Sequence, residues 1–165
     1  MRITIKDIVY NASIAAIYAA LTIACYPLSY EGIQFRFAEI MVLLCFFRKD
    51  YTIGLTLGCL VANLMSPIGV VDVLFGTIAT LISCLGIIFL KQLCFAALIP
   101  VIANGFIVGF ELWKFMDCPF WLSVGTVALG EFTVLLAGYI IFMILKKNKA
   151  FFEMIRRNQN ENFKF

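Results

Sequence analysis

The chain has 165 residues, of which 63% are hydrophobic and only 14% charged. Soluble domains run nearer half apolar and a quarter charged, so a water-soluble globule is excluded. A net charge of +3 is too small for the basic stripe of a nucleic-acid binder, and the lack of any histidine excludes His-based triads, HExxH metal sites and imidazole relays.

A helix that crosses a hydrocarbon core about 30 Å thick needs about 20 mostly apolar residues. Taken in chain order, the first uncharged run is Ile8 to Tyr30. Phe37 to Phe47 follows as a shorter run interrupted by Glu39, then Tyr51 to Val71, Val73 to Leu90 and Gln92 to Phe110. Cys118 to Leu145, interrupted by Glu131, is the last. Breakers separate them: Pro27 and Gly32, then Arg48-Lys49-Asp50, then Ser66-Pro67-Ile68-Gly69, then Lys91-Gln92, then Asp117-Cys118-Pro119. Pro100 falls inside the fifth run and removes one backbone donor there. The pattern predicts an all-α membrane protein, a bundle of six transmembrane helices over residues 1–147, with a basic tail at 148–165.

Lys and Arg in short loops set orientation. If six spans alternate, eleven of the thirteen basic residues fall on the side of the termini, and only Arg36 and Lys114 fall opposite. Both termini are therefore expected in the cytoplasm. A cleaved signal peptide is the competing reading of the first 25 residues, but Asp7 sits in the would-be positive region and more membrane follows. The six cysteines are scattered without a CxxC, which points to small apolar residues rather than a disulfide or zinc framework.

Charged and amide side chains are costly inside a bilayer, so each needs a reason. Following each span's direction places Arg36, Glu39, Asn63, Asp72, Asn104, Glu111 and Glu131 in the outer half or near the midplane. The inner half reads as apolar. That describes a cup open to the outside and sealed below, not a channel, which wants polar residues along its whole path. Plainer roles stand beside ligand contact: an Arg36–Glu39 pair, Asp72 at a helix start, Asn63 and Asn104 as interhelical glue. Glu131 has no evident cation at its depth, and is the leading candidate for ligand contact, with Glu111 behind it.

Small residues recur at four-residue spacing, which permits close approach of membrane helices. Helix one carries two adjacent rows, Ala12-Ala16-Ala20 and Ala15-Ala19, more than one neighbour requires. Gly54, Gly58 and Ala62, and Gly105 with Gly109, are expected to pack within the bundle.

Several stretches resemble a known family. They are Pro27-Leu28-Ser29-Tyr30, Ile33-Gln34-Phe35-Arg36-Phe37-Ala38-Glu39, the run from Gly58 to Gly69 that contains Asn63 and Ser66-Pro67-Ile68-Gly69, Asp72-Val73-Leu74-Phe75-Gly76, Asn104 and Gly130-Glu131. Together they resemble the substrate-capturing S components of energy-coupling-factor (ECF) vitamin transporters, and within these the QueT family, linked to queuosine precursors. The resemblance implies a protein that binds its solute from outside, then docks on a transmembrane T component carrying two ATPase subunits. The alanine face of helix one would be the docking surface, and no cofactor is implied.

The implied cargo is a 7-deazaguanine such as preQ0, preQ1 or queuine. On that reading Glu131 or Glu39 accepts from the base's donor edge, and Asn104, Asn63 or Gln34 serves its carbonyl. Asp72 or Glu111 would meet an aminomethyl cation, while Tyr30, Phe35 and Trp113 are stacking candidates. Trp113 also fits an interfacial belt. An S component for another vitamin or nucleobase-like solute, and a membrane interaction subunit that transports nothing, remain alternatives. No enzyme is expected, because no nucleophile–base pair or metal cluster stands near Glu131.

Overall fold

A computed structural model describes residues 4–30, 35–145 and 147–148. Gln34 and the tail from residue 149 onward lie outside the described residues. Among the described residues the fold is all-helical, with seven α-helices: α1 Ile5–Ala24, α2 Tyr26–Tyr30, α3 Leu44–Phe47, α4 Tyr51–Asn63, α5 Val70–Ile88, α6 Leu93–Phe115 and α7 Phe120–Leu145. A 3₁₀ segment, Phe37–Leu43, leads directly into α3.

Four of these helices, α1, α5, α6 and α7, are long and apolar enough to cross a membrane. Of the two remaining apolar stretches, Phe37–Phe47 is short as its uncharged run predicts, whereas Tyr51–Asn63 stops well before the end of the run from Tyr51 to Val71. At 1.5 Å per residue the 13 residues of α4 cover only about 20 Å. The uncharged run continues to Val71, but its last part is a turn rather than helix. Ser66 N–H bonds Asn63 O at 3.0 Å, Gly69 N–H bonds Ser66 O at 3.1 Å, and Gly69 sits at φ 71°. That backbone conformation is open to glycine and strained for other residues. Pro27, expected in a loop, lies instead in the first turn of α2, where a missing N–H costs nothing. The α6 helix continues through Pro100.

Small residues decide how the helices meet. The α1 and α4 helices run parallel and in close contact, Gly54 facing Asn11 and Gly58 facing Ala15 and Tyr18. A Cβ at Gly58 would stand 2.8 Å from Ala15 O and 2.9 Å from Tyr18 Cβ. The α6 and α7 helices are antiparallel, with Gly105 against Ala128 and Gly109 against Val124. Gly138 of α7 seats Ile40 and Leu43 of the 3₁₀ segment. The glycine rows of α4 and α6 are thus packing surfaces inside the bundle, as their spacing predicts.

One half of the bundle is apolar, built on Leu43, Phe46, Phe47, Leu55, Ile87, Leu93, Leu135 and Phe142. Its end is tied by Arg48, which is 2% exposed, pairs with Asp7 of α1 and bonds Asp50 through Nε at 3.4 Å. The rings of Tyr10 and Tyr51 flank the guanidinium at 5.7 and 5.0 Å. Asp7 also closes a capping box with Thr4, so the start of α1 and the α3–α4 corner share one carboxylate. The outer faces carry exposed apolar side chains such as Ile17, Ile78, Phe106 and Phe132, as lipid contact requires.

Gly58→Val should destabilise the purified protein by about 1–3 kcal/mol, because overpacking forces α1 and α4 apart. Gly125→Ala, where an added methyl meets nothing within 4 Å, should cost nothing. Thermal melts of both variants in detergent check the contrast. Equal melting temperatures would show that α1 and α4 have room to spare.

Candidate functional site

The 3₁₀ segment begins at Phe37 with Arg36 as its cap, and turns Arg36 and Glu39 into the bundle between α1, α4 and α5. Arg36 does not pair with Glu39 in the simple way that its three-residue spacing allows. Its Nη2 lies 3.7 Å from Asp72 Oδ2, in the first turn of α5, and its Nη1 lies 3.9 Å from Cys59 Sγ in α4. Glu39 is fully buried and receives two hydroxyls on one oxygen: Tyr18 of α1, and Thr80 of α5 at 3.4 Å. Thr80 Oγ1 also reaches Cys59 Sγ at 3.1 Å. Asn63 at the end of α4 donates from Nδ2 to Asp72 O at 3.1 Å and to Cys59 Sγ at 3.4 Å. Gly76 makes room for this: a Cβ there would stand 2.5 Å from Asn63 Nδ2 and 2.8 Å from Asp72 Oδ1.

On the opposite wall, Asn104 of α6 donates to Glu131 Oε1 of α7 at 2.6 Å. Glu111, two turns beyond Asn104 on α6, is completely buried. Arg36, Glu39, Asn63 and Asp72 are linked by direct contacts, with Tyr18, Cys59 and Thr80 as further members that sequence reasoning missed. Asn104, Glu131 and Glu111 are buried on α6 and α7 within electrostatic reach of this group. Cys59 lies one turn before Asn63, and Thr80 two turns after Asp72. That spacing was the available signal, but hydroxyl and thiol groups are common in spans and carry little weight alone.

The cluster is rich in acceptors. Glu39 Oε2, Asn63 Oδ1, Glu131 Oε2 and both oxygens of Glu111 are buried without a hydrogen-bond partner among the described residues. Leaving such an atom unsatisfied costs about 1–3 kcal/mol, more for a charged group. Five such oxygens are gathered on Glu39, Asn63, Glu111 and Glu131.

The remaining candidates separate. Phe35 is half-buried, its N–H bonded to Leu28 O at 2.7 Å. Tyr30 is the last residue of α2. Trp113 is exposed and belongs to a chain of rings, 5.6 Å from Phe110 and 5.7 Å from Phe120, with Phe75 and Trp121 extending it. An aromatic belt at the α6–α7 corner describes it better than a stacking platform. The two alanine rows of α1 also divide. Ala19 is buried and Ala15 faces Gly58, so this row packs against α4, whereas Ala12, Ala16 and Ala20 are exposed.

Residues 8–147 match the family model of the QueT transporter. The chain belongs to the QueT transporter family. The queuosine precursor transporter QueT of Lactococcus lactis subsp. cremoris (strain MG1363) is 35% identical, the match covering 86% of this chain and 92% of that protein. No solved structure matches the chain. This QueT-family chain is thus a multi-pass protein of the bacterial membrane, and a transporter rather than an enzyme.

Tyr18→Phe removes the hydroxyl that bonds Glu39 and should destabilise the protein by about 1–3 kcal/mol. Combining it with Glu39→Gln should cost much less than the sum of the two single changes, because both act on one interaction. A double-mutant cycle of thermal melts measures this, and full additivity would exclude the pairing.

Proposed function

We propose that the chain is the substrate-binding (S) component of an ECF-type importer for a queuosine precursor, a 7-deazaguanine such as preQ1, preQ0 or queuine. The solute is captured from outside at the Arg36-centred cluster, without energy input. It is delivered inward after the loaded protein docks on a T component that carries two ATPase subunits. The observation that carries the reading is the set of five buried acceptor oxygens on Glu39, Asn63, Glu111 and Glu131. A guanine-like edge presents two adjacent N–H donors, which one carboxylate accepts with two oxygens. Family membership and the name of the Lactococcus relative support the cargo.

In this reading Glu131 takes the donor edge, with Asn104 holding its other oxygen in place, and Glu39 stands in reserve on the opposite wall. Gln34 serves the ring carbonyl, since the Asn63 amide N–H groups are already engaged by Asp72 O and Cys59 Sγ, and Tyr30 or Phe35 covers the base. The short Phe37–Phe47 and Tyr51–Asn63 segments complete six crossings with the four long helices, and both termini face the cytoplasm. The excess of Lys and Arg at that end supports the orientation. The apolar half below the cluster, from Leu43 to Phe142, seals the cup toward the cytoplasm. Docking uses Ala12, Ala16 and Ala20, the exposed row of α1, since Ala15 and Ala19 already serve α4.

Purified protein should bind 7-deazaguanines, and Glu131→Gln should weaken that binding by about tenfold or more, equivalent to about 1.4 kcal/mol. Calorimetric titration checks it, and unchanged affinity in the variant would remove Glu131 from the site. Ala16→Trp should abolish uptake by cells yet leave binding by the isolated protein intact. Normal uptake in that variant would place docking elsewhere.

A further inference from the structure

Resting on the reading above, we infer that Glu111 is the seat of the ligand's positive charge, which makes the site selective for 7-deazaguanines that carry an ammonium on their side arm. The four buried carboxylates differ in what already holds them. Asp72 has the Arg36 guanidinium at 3.7 Å. Glu39 has Tyr18 and Thr80, and Glu131 has Asn104. Glu111 alone among them is without a hydrogen bond on either oxygen, and it is completely enclosed.

A carboxylate in that position is not explained by packing or by helix capping. It lies inside α6, one turn from the helix end, fully buried and within electrostatic reach of Asp72 and Arg36. Arg36 already stands beside Asp72, which leaves Glu111 without a cation of its own among the described residues. A primary ammonium would supply one. An alkylammonium keeps its proton at neutral pH as lysine does and offers three donors, two of which the bare oxygens of Glu111 can accept. A nitrile arm on the same base offers an acceptor and no donor, so it would set a partial negative charge against Glu111. Discrimination is strong when a site built for a donor meets an analogue that lacks it. The geometry divides the labour: Glu131 with Asn104 reads the base, and Glu111, two turns along the same face of α6, reads the arm.

The test is titration of the purified full chain with 7-aminomethyl-7-deazaguanine and with 7-cyano-7-deazaguanine. Wild type should prefer the aminomethyl compound by about tenfold or more. Glu111→Gln should lose about tenfold or more for that ligand and less than about threefold for the nitrile, so the nitrile also reports that the variant is folded. The ligand-free Glu111→Gln protein should melt at the same or a higher temperature, because an unsatisfied buried carboxylate has been neutralised. A lower melting temperature, equal loss for both ligands, or a wild-type protein indifferent to the arm would each overturn the assignment while leaving deazaguanine binding intact. Failure of wild type to bind either compound or queuine would overturn the functional reading and this inference together.

Discussion

Arg36 is a buried guanidinium held beside Asp72 and Cys59, and the architecture around it follows from keeping that charge and its acidic neighbours out of lipid. Removing a charge from water costs several kcal/mol unless partners replace the solvent. Here the replacement is shared among five elements: a hydroxyl from α1, a thiol and an amide from α4, a hydroxyl and a carboxylate from α5, an amide from α6, and the 3₁₀ segment that carries Arg36 itself. No single helix could satisfy Glu39 or Asp72. The polar cluster holds these elements in register, because a slip of one turn in any of them would strand a charged group in apolar surroundings.

Such a cluster can be kept from lipid only if the helices around it approach closely. Gly54 and Gly58 let α4 lie against α1 at backbone distance, and Gly105 and Gly109 do the same for α6 and α7. Gly76 admits the Asn63 amide beside Asp72. The shortness of α4 is part of the same arrangement. Its last residue, Asn63, leaves the helix to hold the start of α5, and the Ser66–Gly69 turn then reverses the chain within a few residues. A longer α4 would carry Asn63 away from Asp72 and leave the first turn of α5 without its partner.

The far end of the bundle works by a different rule. There Arg48 is also buried, but Asp7, Asp50 and the faces of Tyr10 and Tyr51 surround it. Both carboxylates bond the guanidinium directly, and the neighbouring core is apolar. The contrast explains why one end reads as a receptor for an incoming donor and the other as a clamp.

Much of this was legible in the linear chain. Uncharged runs located all four long helices, breakers located the corners, and the cost of charge in lipid singled out Arg36, Glu39, Asn63, Asp72, Asn104, Glu111 and Glu131. These follow from local quantities, hydropathy and helical spacing, that do not depend on neighbours. The short run Phe37–Phe47 was legible too, but the length of α4 was not, because an apolar stretch such as Leu64–Gly69 turns or stays helical according to what its ends must bond. Nor were the roles of Tyr18, Cys59 and Thr80, which are ordinary residues for a membrane helix until the fold brings them against Glu39 and Arg36. Sequence ranked Glu131 above Glu111 because no cation lay at its depth. The tertiary structure supplied Asn104 to Glu131 and nothing to Glu111, since hydrogen-bond partners come from other helices. Composition and spacing by themselves determined the membrane class and which side chains needed an explanation; only packing decided which of them already had one.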